Sequence, residues 1–282
     1  MCAPHIMQYV RSRLSRRDLF KLAAGSAATL SAGTLAAGLS RAHAQAAPAM
    51  TLNIANLADL THSLSPDFPV FPGFQPMRIN TLVTVENDGF YATRWDVGEH
   101  TGTHLDAPAH FIAGATTADA IGLEQLIAPL AVIDIAARAE EDPDALLMVD
   151  DILAWESQHG ELPAGAAVMM YSGWEARLAD SAAFVGADEQ GVLHFPGFAP
   201  EAADFLVSER DIVGIGVDTL SLDHGPSQGF ESHLITLGAG KWGLENVANL
   251  ASIPAAGAHV IVGNLKVAEA SGGPVRVMAA WG

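Results

Sequence analysis

The chain has 282 residues, of which 50% are hydrophobic and 16% are charged, and its formal net charge is −18. The hydrophobic content excludes a globally disordered chain, and the acidic balance argues against nucleic acid or an anionic membrane as partner, because both require a basic surface. A single cysteine excludes a disulfide framework.

The first 44 residues have the organisation of a bacterial export signal. Basic residues that include the pair Arg16-Arg17 precede an Ala- and Gly-rich apolar stretch at 22–39, and the small-x-small sequence Ala42-His43-Ala44 follows. This order predicts a twin-arginine signal, which directs a folded protein to the periplasm or out of the cell. The alternative is a membrane anchor, but the stretch is short and rich in Gly and Ser. We therefore predict that residues 45–282 form the mature protein, without a membrane anchor.

The mature chain alternates predicted strands and helices. Alternating apolar and polar residues on both sides of Asn87-Asp88 predict a β-hairpin from segments 77–86 and 89–96. Short apolar runs typical of buried strands follow at 129–135, 166–171, 212–222 and 258–267. Helical patterns lie at 122–127, 149–158 and 199–209, the second with Asp150 or Asp151 as a possible cap. This alternation predicts the α/β class in one domain.

Residues 99–111 read Glu-His-Thr-Gly-Thr-His-Leu-Asp-Ala-Pro-Ala-His-Phe and carry the strongest chemical signal. In an extended strand, residues two apart lie on the same face, so His100, His104 and Asp106 are predicted to converge. Gly102 lies between the two histidines on that face and leaves space there. Pro108 bends or ends the strand before His110, and it disfavours a helix in this segment.

Two imidazoles and a carboxylate on one face are suitable ligands for Zn²⁺, Mn²⁺ or Fe²⁺. A bridging carboxylate can also hold a second ion. The alternative interpretation is a polar strand face whose histidines bond to the backbone, but it explains poorly why four metal-competent groups lie in phase. We therefore predict a site for one or two divalent metal ions, Zn²⁺ or Mn²⁺.

The segment from His100 to His110 resembles the signature of the metal-dependent cyclase-like hydrolases, a family that includes bacterial kynurenine formamidase and isatin hydrolase. Further similar segments lie at 59–64, 69–73, 216–221, 232–233 and 244–246, so that the resemblance extends over about residues 55–280. It implies a single domain of the swivelling β/β/α type with a central mixed, barrel-like sheet. Members of the family are usually dimers or tetramers, which implies a homo-oligomer.

The resemblance also implies a ligand set. His100, His104 and Asp106 would bind the first metal ion, and Asp106 would bridge to a second ion held by His233 and Glu245. By residue type alone, His233 and Glu245 are more typical of surface or capping residues than of ligands.

By the same resemblance, His110 is the general acid/base and Phe71 contacts the substrate. Phe71 occupies a position where several relatives have tryptophan, and phenylalanine can still stack on an aromatic ring. The ordinary histidine pKa of about 6.5 suits proton exchange with a leaving nitrogen.

The implied activity is hydrolysis of a C–N amide bond in a small molecule by metal-activated water. The preferred substrate is an aryl formamide such as N-formylkynurenine, as in tryptophan catabolism, and the alternative is an isatin-like lactam or another cyclic amide or ester. A different class of function is a periplasmic metal- or ligand-binding protein without turnover, which would have no need of His110. A structural metal site is disfavoured because such sites prefer cysteine ligands.

Overall fold

The computed structural model describes residue 52 and residues 54–282 of the chain, and the predicted export signal at 1–44 lies outside these residues. The strands in this part of the chain are β1 (Asn56–Asp59), β2 (Arg78–Val83), β3 (Ala92–Asp96), β4 (His104–Asp106), β5 (Ile127–Asp134), β6 (Leu146–Leu147), β7 (Ala166–Tyr171), β8 (Gly197–Phe198), β9 (Ile212–Val217), β10 (Trp242–Glu245), β11 (Ala258–Asn264) and β12 (Gly272–Trp281). The α-helices are α1 (Val85–Asp88), α2 (Leu123–Leu126), α3 (Ala136–Glu141), α4 (Val149–His159), α5 (Ser181–Val185), α6 (Pro200–Glu209) and α7 (Glu231–Gly238).

Eight strands form one mixed sheet in the order β1-β12-β11-β5-β7-β9-β10-β4, and β4 also pairs with β12. This second pairing closes seven of the strands into a barrel-like sheet, to which β1 adds at β12. Strands β5, β7, β9 and β10 run parallel to one another, whereas the pairs that complete the barrel are antiparallel. The structure therefore confirms the predicted α/β class and the central mixed, barrel-like sheet.

Side-chain alternation along β7 supplies two separate apolar cores. Ala167 and Met169 belong to the cluster shared with β4, β10, β11 and β12, whereas Val168 and Met170 belong to a second cluster on the other face of the sheet. Helices α4 and α6 cover this second face, with Ile152 among the residues that they bury there. Because successive residues in a strand point to opposite faces, a continuous apolar run is what a strand covered on both faces requires. None of the helices in the described part of the chain is long and apolar enough to cross a membrane.

Several predicted elements agree with the structure, and their boundaries show what the sequence pattern missed. Strand β7 matches the predicted 166–171, and β2 and β3 pair as the predicted hairpin, with the single turn α1 between them. Helix α4 begins at Val149, but the expected cap was wrong, because the N-cap residue is Met148. Asp151 lies in the first turn, where its carboxylate accepts a hydrogen bond from the Met148 backbone N–H at 2.8 Å.

The prediction of one extended strand through 100–106 was wrong. Only His104–Asp106 form a strand, β4, and the chain turns before it. Gly102 has φ = 67°, a left-handed conformation that glycine adopts without a steric penalty. A Cβ at this position would also lie 2.8 Å from Leu64 Cδ1. Gly102 is therefore suited to its turn by backbone conformation and close packing, and the turn, rather than strand alternation, brings His100 towards Asp106.

Candidate active site

Strand β4 presents His104 and Asp106 between two neighbouring strands. On β10, Glu245 pairs with His104 in the strand register, so that the two side chains are cross-strand neighbours. Asp106 has a glycine opposite it on both sides, Gly243 on β10 and Gly272 on β12. A Cβ on Gly243 would lie 3.4 Å from Asp106 Oδ2. The two glycines thus let neighbouring side chains pack closely around the buried carboxylate.

Helix α7 brings His233 to the same place from the other side. The Asp223 carboxylate accepts hydrogen bonds from the backbone N–H groups of Ser232 and His233 at 2.8 and 3.2 Å, in the first turn of the helix. The same carboxylate accepts a hydrogen bond from His233 Nδ1 at 2.6 Å. Asp223 therefore holds both the start of the helix and the ring of His233.

Five side chains converge at the centre. His104 Nε2 lies 3.3 Å from Asp106 Oδ1 and 3.2 Å from Glu245 Oε2. His233 Nε2 lies 3.4 Å from Asp106 Oδ2 and 3.0 Å from Glu245 Oε1. His100 Nδ1 approaches Asp106 Oδ1 at 2.7 Å. All five residues that the resemblance named as ligands therefore lie in one cluster, with Asp106 in contact with each histidine.

The hydrogen bonds on the outer side of two rings indicate what this cluster can bind. His104 Nδ1 lies 2.8 Å from the Gly102 carbonyl, which only accepts, so this nitrogen carries a proton. His233 Nδ1 is held in the same state by Asp223. In the neutral rings, both Nε2 lone pairs then face carboxylate oxygens. His104 Nε2 and Asp106 Oδ2 are buried without a hydrogen-bond partner in the described part of the chain. Facing acceptors are stabilised by a proton or a metal ion between them, and imidazole and carboxylate groups arranged in this way fit a divalent metal.

The electrostatics of the cluster agree with this interpretation. Burial lowers the pKa of His104, but Asp106 and Glu245 outweigh it and raise the pKa to about 10. Burial likewise opposes protonation of His233, whose pKa is raised well above its ordinary value by Asp106, Asp223 and Glu245. Burial raises the pKa of Asp106, yet the surrounding histidines hold it well below its ordinary value. The carboxylates are thus ionised, and they stabilise positive charge beside them, which a metal ion can supply in place of the ring protons.

In the part of the chain that the structure describes, two groups of three residues have ligand atoms within 4.8 Å of one another, and both groups include Asp106. One group is His104, Asp106 and Glu245, and the other is His100, Asp106 and His110. The expected sharing of Asp106 between two ions is compatible with this geometry. The second group includes His110, which the sequence analysis assigned to proton transfer rather than to metal binding.

His110 differs from the other histidines in its surroundings. It ends the 3-10 helix Pro108–His110, which begins where β4 ends. Its ring stacks on His100, with the ring centroids 3.7 Å apart. Burial lowers its pKa to about 4, with His100 and His233 acting in the same direction and Asp106 opposing them. His110 is therefore a neutral base at neutral pH, in contrast to the ordinary pKa that we expected from the sequence.

The cluster opens into a pocket of about 150 Å³ whose other wall is aromatic. Phe71, the predicted substrate contact, lies in this wall with Phe74 and Phe230, at ring-centroid distances of 6.5 and 6.4 Å. Phe111 continues the wall, 5.6 Å from Phe230 and 4.8 Å from the ring of His233. Phe230 has φ = 52°, an uncommon conformation for a residue with a side chain. The pocket therefore has a polar side formed by the cluster and an apolar aromatic side.

Sequence reasoning missed several residues that shape the site. Asp223 lies in the turn-like sequence Asp223-His224-Gly225-Pro226, and its role depends on His233, ten residues further along the chain. Phe111 directly follows the His100–His110 motif, so its proximity to the site could have been inferred. Phe74 and Phe230 approach Phe71 only through the fold. Asp218 accepts hydrogen bonds from Ser172 and Trp174 and so fixes the turn after β7.

Comparison with known proteins agrees with this geometry. Residues 58–224 match the family model described as a putative cyclase. An isatin hydrolase from Roseibium aggregatum is 39% identical, over 79% of this chain and 90% of that protein. A kynurenine formamidase from Paracidovorax citrulli is 26% identical, over 79% of this chain and 95% of that protein.

Among solved structures, isatin hydrolase A from Ralstonia solanacearum has a TM-score of 0.76 and is 38% identical, over 80% of this chain and 92% of that one. The family resemblance stated from the sequence is thereby confirmed. The family model covers more than half of the chain, and one named hydrolase shares more than a third of its residues with it. The chain therefore belongs to the cyclase family and is a hydrolase.

Proposed function

We propose that this enzyme hydrolyses the C–N bond of a cyclic amide fused to an aromatic ring, as in isatin. The observation that carries the proposal is the buried cluster of histidines and carboxylates facing an aromatic wall across one pocket. The named relatives support the lactam over the formamide, because identity to the isatin hydrolase is 39% and to the kynurenine formamidase 26%. This order reverses our preference from the sequence alone. A binding protein without turnover loses support, since these relatives are named hydrolases.

The residues that would hold the metal are those that converge on Asp106. His100, His104, His233 and Glu245 complete the set, with Asp106 placed to bridge if two ions bind. The ligands are imidazoles and carboxylates without thiolates, a set that suits Zn²⁺ or Mn²⁺. A bound divalent ion supplies Lewis acidity, which polarises a carbonyl and lowers the pKa of water.

His110 supplies the proton transfer. As a neutral base, it accepts a proton from the attacking water while the new C–O bond forms at the carbonyl carbon. It then returns this proton to the amide nitrogen as the C–N bond breaks. The products are a carboxylic acid, which releases its proton to solvent at neutral pH, and an aryl amine, so one water is consumed and His110 returns to its neutral form.

The aromatic wall orients the substrate. Phe71, Phe111 and Phe230 offer ring faces and edges within a few ångströms of the cluster. An aryl ring stacked there directs its attached carbonyl towards His104 and Asp106, and it excludes water from the reacting bond. An aryl formamide presents the same two features, an aromatic ring and an amide carbonyl, so it is the second candidate.

The test is turnover of isatin and of N-formylkynurenine by residues 45–282, after chelation and reloading with Zn²⁺ or Mn²⁺. We expect metal-dependent hydrolysis of isatin to exceed that of the formamide, and His110→Ala to lower turnover of both by about 10²- to 10⁴-fold. The reverse order of substrates would establish the formamidase alternative and reject the lactam. Failure with both substrates, in protein shown to hold metal, would reject an aryl amide as substrate and would favour another amide or ester.

We also propose that the protein acts outside the cytoplasm. The support is the signal-like sequence of residues 1–44, with Arg16-Arg17 ahead of an apolar stretch. Replacing both arginines by lysine in a bacterial host with an intact twin-arginine pathway should retain the protein in the cytoplasmic fraction. Unchanged fractionation of this variant would contradict a twin-arginine route.

We propose that the β2–β3 hairpin binds a second copy of this chain. The hairpin forms its own two-stranded sheet, and Ile79 and Trp95, a cross-strand pair, are 43% and 65% exposed. Leu82 and Tyr91 extend this apolar surface. An isolated two-stranded sheet is marginally stable in water.

A further inference from the structure

His100 is held from its outer side by a serine and a glutamate that the proposed chemistry does not use. Its Nε2 lies 3.0 Å from Ser271 Oγ, and this hydroxyl donates to Glu99 Oε2 at 2.5 Å. The Ser271 backbone N–H donates to the same carboxylate oxygen at 3.1 Å. Glu99 Oε2 is 4.0 Å from His100 Nε2, which is too far for a direct hydrogen bond, so the serine links them.

The hydrogen bonds among Glu99, Ser271 and His100 indicate which nitrogen of the neutral His100 ring carries the proton. A serine hydroxyl has one proton, and an ionised carboxylate only accepts, so the Ser271 proton goes to Glu99. Ser271 Oγ must then accept from His100, which places a proton on Nε2. In the neutral ring, the Nδ1 lone pair is left facing Asp106 Oδ1 at 2.7 Å. A contact at this distance is stabilised by a proton or a metal ion between the two atoms, and a metal ion leaves the ring in its neutral Nε2–H form.

The fold keeps the three residues in place. Ser271 immediately precedes β12, and its carbonyl accepts a hydrogen bond from Ala107 N–H at 2.9 Å, just beyond the end of β4. The next residue, Gly272, allows the ring to lie against the strand, because a Cβ there would be 2.8 Å from His100 Cε1. Barrel closure thus sets the distance between Ser271 and His100.

We propose that Glu99 and Ser271 are positioning residues that hold His100 in its Nε2–H form, so that Nδ1 is the metal-binding atom beside Asp106. His104 and His233 carry their proton on Nδ1 and present Nε2 instead. The centre therefore combines two Nε2 ligands with one Nδ1 ligand. This proposal rests on the metal centre of the proposed function and is independent of the substrate. Supporting groups of this kind change metal affinity by 10- to 100-fold when removed.

The first test measures the zinc dissociation constant of the purified protein by competition with a chromophoric chelator. We expect Ser271→Ala to weaken zinc binding by about 10- to 100-fold and Glu99→Gln by less, because glutamine can still accept through its carbonyl oxygen. Ser271→Thr retains the hydroxyl and should restore affinity to within about threefold of the wild type. Matched controls are Ser252→Ala, whose hydroxyl serves an exposed backbone carbonyl, and Glu189→Gln on an exposed loop.

The second test identifies directly which nitrogen of His100 binds zinc. Long-range ¹H–¹⁵N spectra of the zinc-loaded protein, assigned with His100→Gln, should show zinc on Nδ1 of His100 and a slowly exchanging proton on Nε2. Ser271→Ala should lose that slow exchange, although its metal-free melting temperature stays unchanged.

Zinc bound through Nε2 of His100 would overturn the proposal, as would unchanged affinity in Ser271→Ala. Absence of zinc binding in the wild type would overturn both this proposal and the metal centre. Zinc bound through Nδ1 in a protein that hydrolyses neither candidate substrate would reject only the proposed substrates.

Discussion

His104 and His110 face the same pocket, yet their environments suit them to different chemical roles. His104 lies among carboxylates that raise its pKa to about 10, so its Nε2 is directed at negative charge. His110 stacks on His100, and burial lowers its pKa to about 4. A residue surrounded by acceptors is suited to share a cation with them. A residue that stays neutral beside the cluster is suited to take and return a proton.

Substitution of these two histidines should separate the roles. We expect His110→Ala to lower kcat by about 10²- to 10⁴-fold, the range for loss of a general acid/base, while bound metal stays near the wild-type amount. His104→Ala should lower both, because it removes a ligand from a buried site. Metal analysis of each purified variant beside its steady-state kinetics makes the comparison. Equal metal loss in the two variants would make His110 a ligand, as its proximity to His100 and Asp106 allows.

At the level of single residues, the sequence predicted the reactive groups better than their supports. His100, His104, Asp106 and His110 share one short motif, and their residue types alone indicate metal chemistry. Their supporting partners are distant in the chain and of ordinary type, so no local pattern marks them. Ser271 is 171 positions from the histidine that it contacts. Such a pairing follows from barrel closure, which is a property of the whole sheet.

Strand β12 contains two adjacent glycines with opposite surroundings. A Cβ on Gly272 would lie 2.3 Å from the Leu105 carbonyl oxygen and 2.8 Å from His100 Cε1. A Cβ on Gly273 would meet nothing within 4 Å. The two positions therefore form a matched pair, in which the same added methyl group either collides with the site or projects into open space.

We expect Gly272→Ala to destabilise the fold by about 1–3 kcal/mol, the usual cost of overpacking, and to weaken metal binding by displacing His100. Gly273→Ala should leave metal binding unchanged and stabilise by about 0.4–1 kcal/mol, because it restricts only the unfolded chain. Denaturant unfolding and chelator competition on both variants provide the check. Similar losses in the two would show that glycine is needed here for backbone flexibility and not for close approach.

The loop that follows α5 is joined to the segment after α3 by a histidine between two carboxylates. His194 Nδ1 lies 2.8 Å from Asp144 Oδ2, and its Nε2 lies 3.5 Å from Asp188 Oδ2. The hydrogen bond to Asp144 raises the pKa of His194 above its ordinary value of 6.5. The charged ring is therefore favoured by folding. Its contribution is complete below the unfolded pKa and is lost as the pH rises through the folded pKa.

A double-mutant cycle should reveal this pH dependence. His194→Gln and Asp144→Asn should show a favourable coupling in the free energy of unfolding at about pH 6, and the coupling should vanish by about pH 9. Urea unfolding of the wild type, both single variants and the double variant at each pH measures it. A coupling that grows with pH would contradict the assignment, since a neutral ring has no charge to share with Asp144.

At the level of elements, burial decided which predictions succeeded. The 166–171 segment is apolar because β7 is covered on both faces. The first and last residues of this strand could therefore be predicted from the composition of the sequence. The 100–106 segment was predicted as a strand from alternation alone. Its left-handed turn at Gly102 depends on packing against Leu64, a contact that periodicity does not encode.

Closure of the barrel assembles the active site of the whole molecule. Strand β4 completes the ring only by pairing with β10 on one side and β12 on the other. These pairings place Glu245, Asp106 and Gly272 on three adjacent strands, although 166 positions separate Asp106 from Gly272. The strands of the barrel and the site therefore form together. Loss of β12 pairing would remove Ser271 and Gly272 from His100 as well as opening the sheet.

The β2–β3 hairpin lies outside this ring, and its exposed apolar residues are the basis of the whole-molecule prediction. A two-fold dimer brings the same surface of each copy together, so one apolar hairpin can be buried by its own counterpart. We expect the wild type to elute as a dimer in size-exclusion chromatography with light scattering. Ile79→Glu combined with Trp95→Glu should give a monomer, because the interface would then bury like charges. Leu57→Glu is the matched control, since Leu57 is 68% exposed on β1, in a different sheet. A wild-type monomer, or a dimer that persists in the double variant, would exclude the hairpin as the interface.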